Sequence, residues 1–186
     1  IMVLPIVAYG DPVLRKMGQD IDKNYPNLQQ LIDDMFETME KAKGVGIAAP
    51  QIGKAIRLFV IDSNKMYDED EKPEGIREVF INARIIDESG DEWAFEEGCL
   101  SIPGIREDVY REEDIVIQYY DRDFKFHEKT FTGLTARVIQ HEYDHIDGKL
   151  FIDHLKPLKK SLLKGRLDKI SKGQVEHSYK MKFPKV

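Results

Sequence analysis

The sequence predicts an α+β fold in which antiparallel sheets pack around a central helix, followed by a C-terminal helix. Three observations carry this prediction. Strand-like stretches follow one another through the middle of the 186-residue chain with no helix between them, which is the pattern of antiparallel rather than crossover-connected sheets. An amphipathic helix precedes them, and a second helix, bearing Gln140-His141-Glu142-Tyr143-Asp144-His145, follows them. A chain of this length is expected to form one domain over residues 1–186, burying roughly 70% of its unfolded surface.

Near the start, Asp11 before Pro12 reads as a short capped turn, because Asp accepts from free amides and Pro tolerates the first helical position. Leu28, Leu31, Ile32, Met35, Phe36, Met39 and Ala42 then recur as one buried helical stripe, which Pro26 is expected to open and Gly44 to close. Gly44-Val45-Gly46-Ile47-Ala48-Ala49-Pro50-Gln51-Ile52-Gly53 is a run of small residues, which is either a place where backbone approaches a ligand closely or a tight turn packed against the core. It follows a helix and has no Lys-Ser/Thr pair, so neither a dinucleotide fingerprint nor a phosphate loop fits.

Arg57 to Asp62 reads as a buried strand, and the acidic stretch 68–75 as a solvated loop. Strand-like character returns in Val79 to Ile86, Trp93 to Phe95, Ile115 to Tyr120 and Lys125 to Phe131, with turns expected at Ser89-Gly90 and Asp121-Arg122-Asp123. The last strand leads through Gly133 into the histidine-bearing helix. There Leu134, Val138, His141 and His145 step by 4, 3 and 4, so both imidazoles lie on a buried stripe. After it, Leu158, Leu162, Leu163 and Ile170 predict a C-terminal helix with these residues inside and lysines outside, the region 156–186 forming a basic helix and tail.

Composition narrows the class. A net charge of −6 argues against binding nucleic acid over the whole surface, and no sequence-specific nucleic-acid contact is expected. From Lys156 to Lys172, however, seven basic residues stand against Asp168 alone, a tail suited to a polyanion or to solvent. The single cysteine, Cys99, excludes an intrachain disulfide framework. With no secretory pattern at the start and no run of about 18 apolar residues, a cytoplasmic location off the membrane is expected.

The chemistry centres on His141-Glu142-x-x-His145. Two imidazoles four residues apart can grip one metal ion, and the carboxylate after the first can reach a water held at an open position. Two ligands leave a catalytic site incomplete. An elongated protease motif would place a third histidine at position 151, which is Phe151, and no glutamate occurs between His145 and Glu176. A conventional zinc protease is therefore disfavoured. Cys99, after a short strand, is either a small buried apolar group or a thiolate completing a Cys-His-His set.

Three stretches in order, Gly44-x-Gly46-x-Ala48-Ala49-x-Gln51, Glu97-Gly98-Cys99-Leu100-Ser101 and His141-Glu142-x-x-His145, resemble the signature of the peptide deformylase family. The similarity runs from about Ile6 to Leu155 and points to the class that ends in a helix. It implies an enzyme that removes the formyl group from the N-terminal formyl-methionine of nascent polypeptides, releasing formate. By this resemblance Cys99, His141 and His145 bind the metal, a water on that metal is the nucleophile, and Glu142 is the general acid/base. The Gln51 side chain and the Leu100 backbone N–H would stabilise the tetrahedral intermediate.

Gly44 and Gly46 would let the chain approach the substrate backbone, while Val45, Leu134 and Val138 line a methionine pocket. Arg111 would pair with Asp144 beside the metal helix. Fe(II) is the expected functional metal, with Zn(II), Ni(II) or Co(II) as substitutes. The basic C-terminal helix would meet the ribosome. Two rivals remain at this level: a hydrolase of other N-acyl peptides, and a metal-binding protein without turnover.

Overall fold

A computed structural model describes residues 1–70 and 75–184. Three α-helices and seven strands make up its regular structure: β1 (Ile6–Val7), α1 (Leu28–Lys41), β2 (Gly46–Ala48), β3 (Leu58–Asp62), β4 (Arg77–Cys99), β5 (Ile102–Tyr120), β6 (Phe126–Thr132), α2 (Gly133–Ile146), α3 (Pro157–Ser171) and β7 (Met181–Lys182). Strands β2 to β6 form one antiparallel sheet in sequence order. The fold is thus α+β with a C-terminal helix. β1 and β7 pair in parallel, a departure from the antiparallel expectation that joins the two ends of the chain. The acidic stretch 68–75 falls in part on residues 71–74, outside the described residues.

The position of α2 follows from alternation along β3. Leu58 and Val60 point into a core with Leu31, Ile32, Met35 and Met39 of α1. Phe59 and Ile61 point to the opposite side, into a core with Phe80, Ile117, Val138 and Ile139. With a period of two, one strand feeds two cores, so the sheet is sandwiched between α1 and α2. A third cluster joins Ile102, Ile105 and Val109 of β5 to Leu163, Leu167 and Ile170 of α3.

Local chemistry explains most element ends. Asp11 accepts from the Val13 N–H at 3.0 Å and caps a short 3-10 turn over Pro12–Arg15. At α1 the boundaries shift from expectation. Asn27, not Pro26, is the N-cap, and it takes a left-handed conformation with φ 56°. At the other end Lys43 occupies the left-handed position, φ 58°, and Gly44 follows it. The Lys43 N–H donates to the Glu40 carbonyl at 3.0 Å and the Gly44 N–H to the Met39 carbonyl at 2.9 Å, which closes the helix in a Schellman motif.

Three further expectations are corrected. Ser89-Gly90 is not a turn: Gly90, φ 80°, sits at a bulge inside β4, where the register with β5 shifts between Ser89 and Glu92. The two short strands expected there are one long, bent strand, since a bulge bends a ladder without ending it. The Gly-rich run contains a strand, β2, rather than only a turn. On α3, Leu163 and Ile170 are buried as expected and Leu167 joins them, but Leu158 and Leu162 are 74% and 68% exposed. Leu158 and Leu162 are four residues apart and share a face that no other element covers among the described residues.

Phe80 stacks on Phe59 at 4.8 Å between ring centroids and lies 4.2 Å from Tyr119. Phe80→Ala is expected to lower the free energy of unfolding by about 3–5 kcal/mol. Leu158→Ala, on the uncovered face of α3, is expected to change it by less than about 0.5 kcal/mol, both read from urea unfolding curves.

Candidate metal centre and active-site cleft

Three segments meet at one cleft of about 820 Å³: the run after α1, the turn between β4 and β5, and α2. Because β4 ends at Cys99 and β5 begins at Ile102, the thiol projects from the connection of a long hairpin. α2 crosses beneath it and presents His141 and His145 from successive turns. The ligand atoms of Cys99, His141 and His145 lie within 4.8 Å of one another, and Cys99 Sγ is 3.5 Å from His145 Nε2. Tetrahedral ligands at zinc-like bond lengths would be separated by about 3.3–3.6 Å, which the Cys99–His145 distance matches, and the three residues could hold a divalent ion.

The imidazoles are held differently. His141 Nδ1 is 2.8 Å from Glu97 Oε1, which leaves its Nε2 toward Cys99 and His145. The Phe151 ring stacks on the other side of the His141 ring at 5.9 Å between centroids. Position 151, where a protease would carry a third histidine, therefore serves the site by packing. Burial lowers the pKa of His141, but hydrogen bonds with Cys99 and Glu97 overcome it and raise the value well above normal. The same negative surroundings would hold a metal cation. Burial, then the charge on His141, pushes His145 down to about 3, so this imidazole stays neutral as a ligand must.

Glu97 is the hub of the support. Its Oε2 accepts from Arg111 Nε at 2.8 Å and Arg137 Nη1 at 2.8 Å, and its Oε1 accepts from Arg111 Nη2 at 3.0 Å. Burial alone would raise its pKa, but the His141 and Arg111 hydrogen bonds hold the carboxyl well below the usual range. Arg111 also donates to Asp144 Oδ2 at 2.9 Å, the pairing expected from the resemblance, and His154 Nε2 lies 2.7 Å from the same oxygen. Arg137 adds bonds to the Val109 and Trp93 carbonyls at 2.8 and 2.6 Å and lies over the Trp93 ring. Sequence reasoning missed Arg137 and the hub role of Glu97. A basic residue inside the apolar stretch Leu134 to Ile139 was the available signal.

Glu142 lies on the cleft wall, buried, and its Oε1 has no hydrogen-bond partner among the described residues. Burial, opposed by the charge of His141, pushes its pKa up to about 7. A Cβ at residue 46 would stand 2.6 Å from Glu142 Oε2, and one at residue 44 would stand 2.9 Å from Leu100 Cδ1. Gly46 is therefore needed for the close approach of Glu142, whereas a side chain at residue 44 would ask only the tip of Leu100 to shift. Gln51 accepts from the Ala48 N–H at 2.9 Å through Oε1, and this turns its Nε2 toward Cys99 Sγ, 3.4 Å away, and Ser101 Oγ, 3.2 Å away.

Gly44, Val45, Gly46, Gln51, Leu100 and Val138 all line the cleft. Leu134 does not line it. It is half-buried in the first turn of α2, one helical turn before Val138. The last contributors to the wall come from the C-terminal tail, Glu176 to Tyr179, which sequence reasoning did not connect with the site.

Known proteins resemble this chain in sequence and in fold. Residues 3–161 match the pattern of the family described as polypeptide deformylase. A peptide deformylase of Cytophaga hutchinsonii is 58% identical over 183 residues, covering 98% of both chains. One from Christiangramia forsetii is 55% identical over 190 residues, covering 98% of this chain and 97% of its own. Among solved structures, a plant peptide deformylase superposes with a TM-score of 0.82 at 35% identity, covering 91% of this chain and 90% of its own. A peptide deformylase from Legionella pneumophila gives 0.79 at 41% identity, covering 95% and 99%. With the matched span holding the Gly-rich run, the cysteine segment and the histidine helix together, the chain belongs to the polypeptide deformylase family.

Proposed function

We propose that residues 1–186 form one catalytic domain that hydrolyses the formyl group from the N-terminal formyl-methionine of nascent polypeptides, with Cys99, His141 and His145 holding a divalent metal. The observation that carries this reading is the convergence of one thiol and two imidazoles, within 4.8 Å, beside a buried carboxylate whose pKa is near 7. When bound, the metal would lower the pKa of the attacking water and polarise the formyl carbonyl. A purely structural site would favour a fourth protein ligand and would have no use for Glu142 in the cleft.

Glu142 takes the proton of the attacking water and returns it to the departing amine. A carboxylate with a pKa near the working pH can do both, and burial, opposed by the charge of His141, supplies that pKa. The Gln51 amide, turned by its bond to Ala48, and the Leu100 N–H donate to the oxygen on which charge develops. Val45 and Val138 line the slot for the unbranched methionine side chain. Glu97 keeps His141 in the tautomer that offers Nε2, and Arg111 with Asp144 braces the helix behind it.

Fe(II) is the metal we assign to the working enzyme, with Zn(II), Ni(II) or Co(II) able to replace it, since a thiolate and two imidazoles suit each of them. The uncovered stripe of Leu158 and Leu162 among lysines supports contact of α3 with the ribosome, where the substrate emerges in the cytoplasm. Among the described residues no helix is long and apolar enough to cross a membrane.

The decisive experiment is formate release from a formyl-methionyl peptide by protein prepared anaerobically with Fe(II). Glu142→Ala is expected to lose about 100- to 10,000-fold in kcat while keeping its metal, and Cys99→Ser to lose the metal itself. A metal-loaded wild type that releases no formate would overturn the assignment. The base must be ionised to act, so kcat/KM is expected to rise with pH through a midpoint at or below about 7, a bound cation drawing it downward. Glu97→Gln is expected to weaken metal affinity about 10- to 100-fold, measured by competition with a chromogenic chelator.

A further inference from the structure

The segment that follows α3 is tied down at both ends. Beyond Gly173 it crosses the mouth of the cleft, then β7 pairs with β1 through Ile6 with Met181 and Val7 with Lys182. Where it crosses, the Tyr179 hydroxyl donates a 2.6 Å hydrogen bond to the carbonyl oxygen of Leu100. Tyr179 is partly buried against the core cluster that also takes in Leu100, and His177 Nδ1 bonds to the Tyr179 carbonyl at 2.8 Å.

Leu100 lies in the turn that joins β4 to β5, where no strand ladder fixes the peptide planes. Its neighbours supply the restraint instead. The Ser101 carbonyl accepts from the Tyr9 N–H at 2.9 Å, and the Ser101 hydroxyl accepts from Gln51. The Leu100 side chain rests against Gly44, so closely that a Cβ there would sit 2.9 Å from Cδ1. Tyr179 holds the Leu100 carbonyl, which lies on the far side of the Leu100 Cα from its N–H.

We propose, resting on the deformylase reading of the site, that Tyr179 is a positioning residue: its hydrogen bond to the Leu100 carbonyl aims the Leu100 N–H at the oxygen on which negative charge develops. The tail is then a working part of the active site. A hydrogen bond within the protein is made before and after substrate binds, but the donor it aims matters most when charge appears on the oxygen. Loss of aim therefore falls on kcat rather than on KM. Outright removal of such a donor costs about 100- to 1,000-fold, and a donor left in place but loosened should cost a fraction of that, about tenfold.

The test compares the full-length, metal-loaded chain with Tyr179→Phe, which keeps the ring and removes only the hydroxyl. Formate release from a formyl-methionyl dipeptide gives kcat and KM, metal content and the thermal midpoint are measured on the same samples, and 15N-labelled protein reports the Ser101 amide, whose peptide includes the Leu100 carbonyl. The expected result is a kcat about tenfold lower with KM within about twofold, unchanged metal content and thermal midpoint, and a shifted Ser101 amide signal. An active wild type with a Tyr179→Phe variant of equal kcat overturns this inference and leaves the deformylase reading standing. A loss confined to KM, or one that tracks lost metal or a lowered midpoint, overturns it as well. A wild type without formate release overturns both.

Discussion

The cleft depends on one buried carboxylate. Glu97, near the end of β4, accepts from Arg111 on β5 and from Arg137 and His141 on α2, all between 2.8 and 3.0 Å. An ionised carboxylate taken out of water alone would be strongly destabilising, and three charge-assisted donors offset that cost only when β4, β5 and α2 are docked together. The interaction that permits the burial therefore also fixes the relative position of the cysteine hairpin and the histidine helix.

That single constraint separates two carboxylates within one cleft. Glu97 is saturated with cationic donors and stays ionised, while Glu142, 45 residues later on the same helix as His141, is buried, has one oxygen without a partner among the described residues, and has its pKa pushed up to about 7. The environments push the two groups apart, so one is suited to holding an imidazole and the other to moving a proton. Gly46 completes the division of labour, because a side chain there would meet the Glu142 carboxylate and displace it.

The ends of the chain complete the cleft from outside. β1 and β7 bring the N-terminal segment beside the C-terminal tail, and from this pair Tyr9 and Tyr179 reach the turn that carries Leu100. α3 anchors the tail by burying Leu163, Leu167 and Ile170 against β5, which leaves Leu158 and Leu162 facing outward among lysines.

The sequence by itself determined the class, the helices and the chemical set. Periodicity located α1 and α2 because an amphipathic stripe is a local property, and Cys99, His141, His145 and Glu142 came to notice because their residue types suit one chemistry, while Gln51 was singled out only by the family resemblance. Only the tertiary structure decided how β4 bends at Gly90, since a glycine between strand-like stretches reads alike as a bulge or a turn until a partner strand sets the register. It also decided which leucines of α3 are covered, and that Arg137 and Tyr179 line the cleft. Leucine and lysine repeat along α3 without a dominant stripe, and the contacts of Tyr179 and Leu100 join positions 79 residues apart, so burial and partnership there are set by docking that no local pattern encodes.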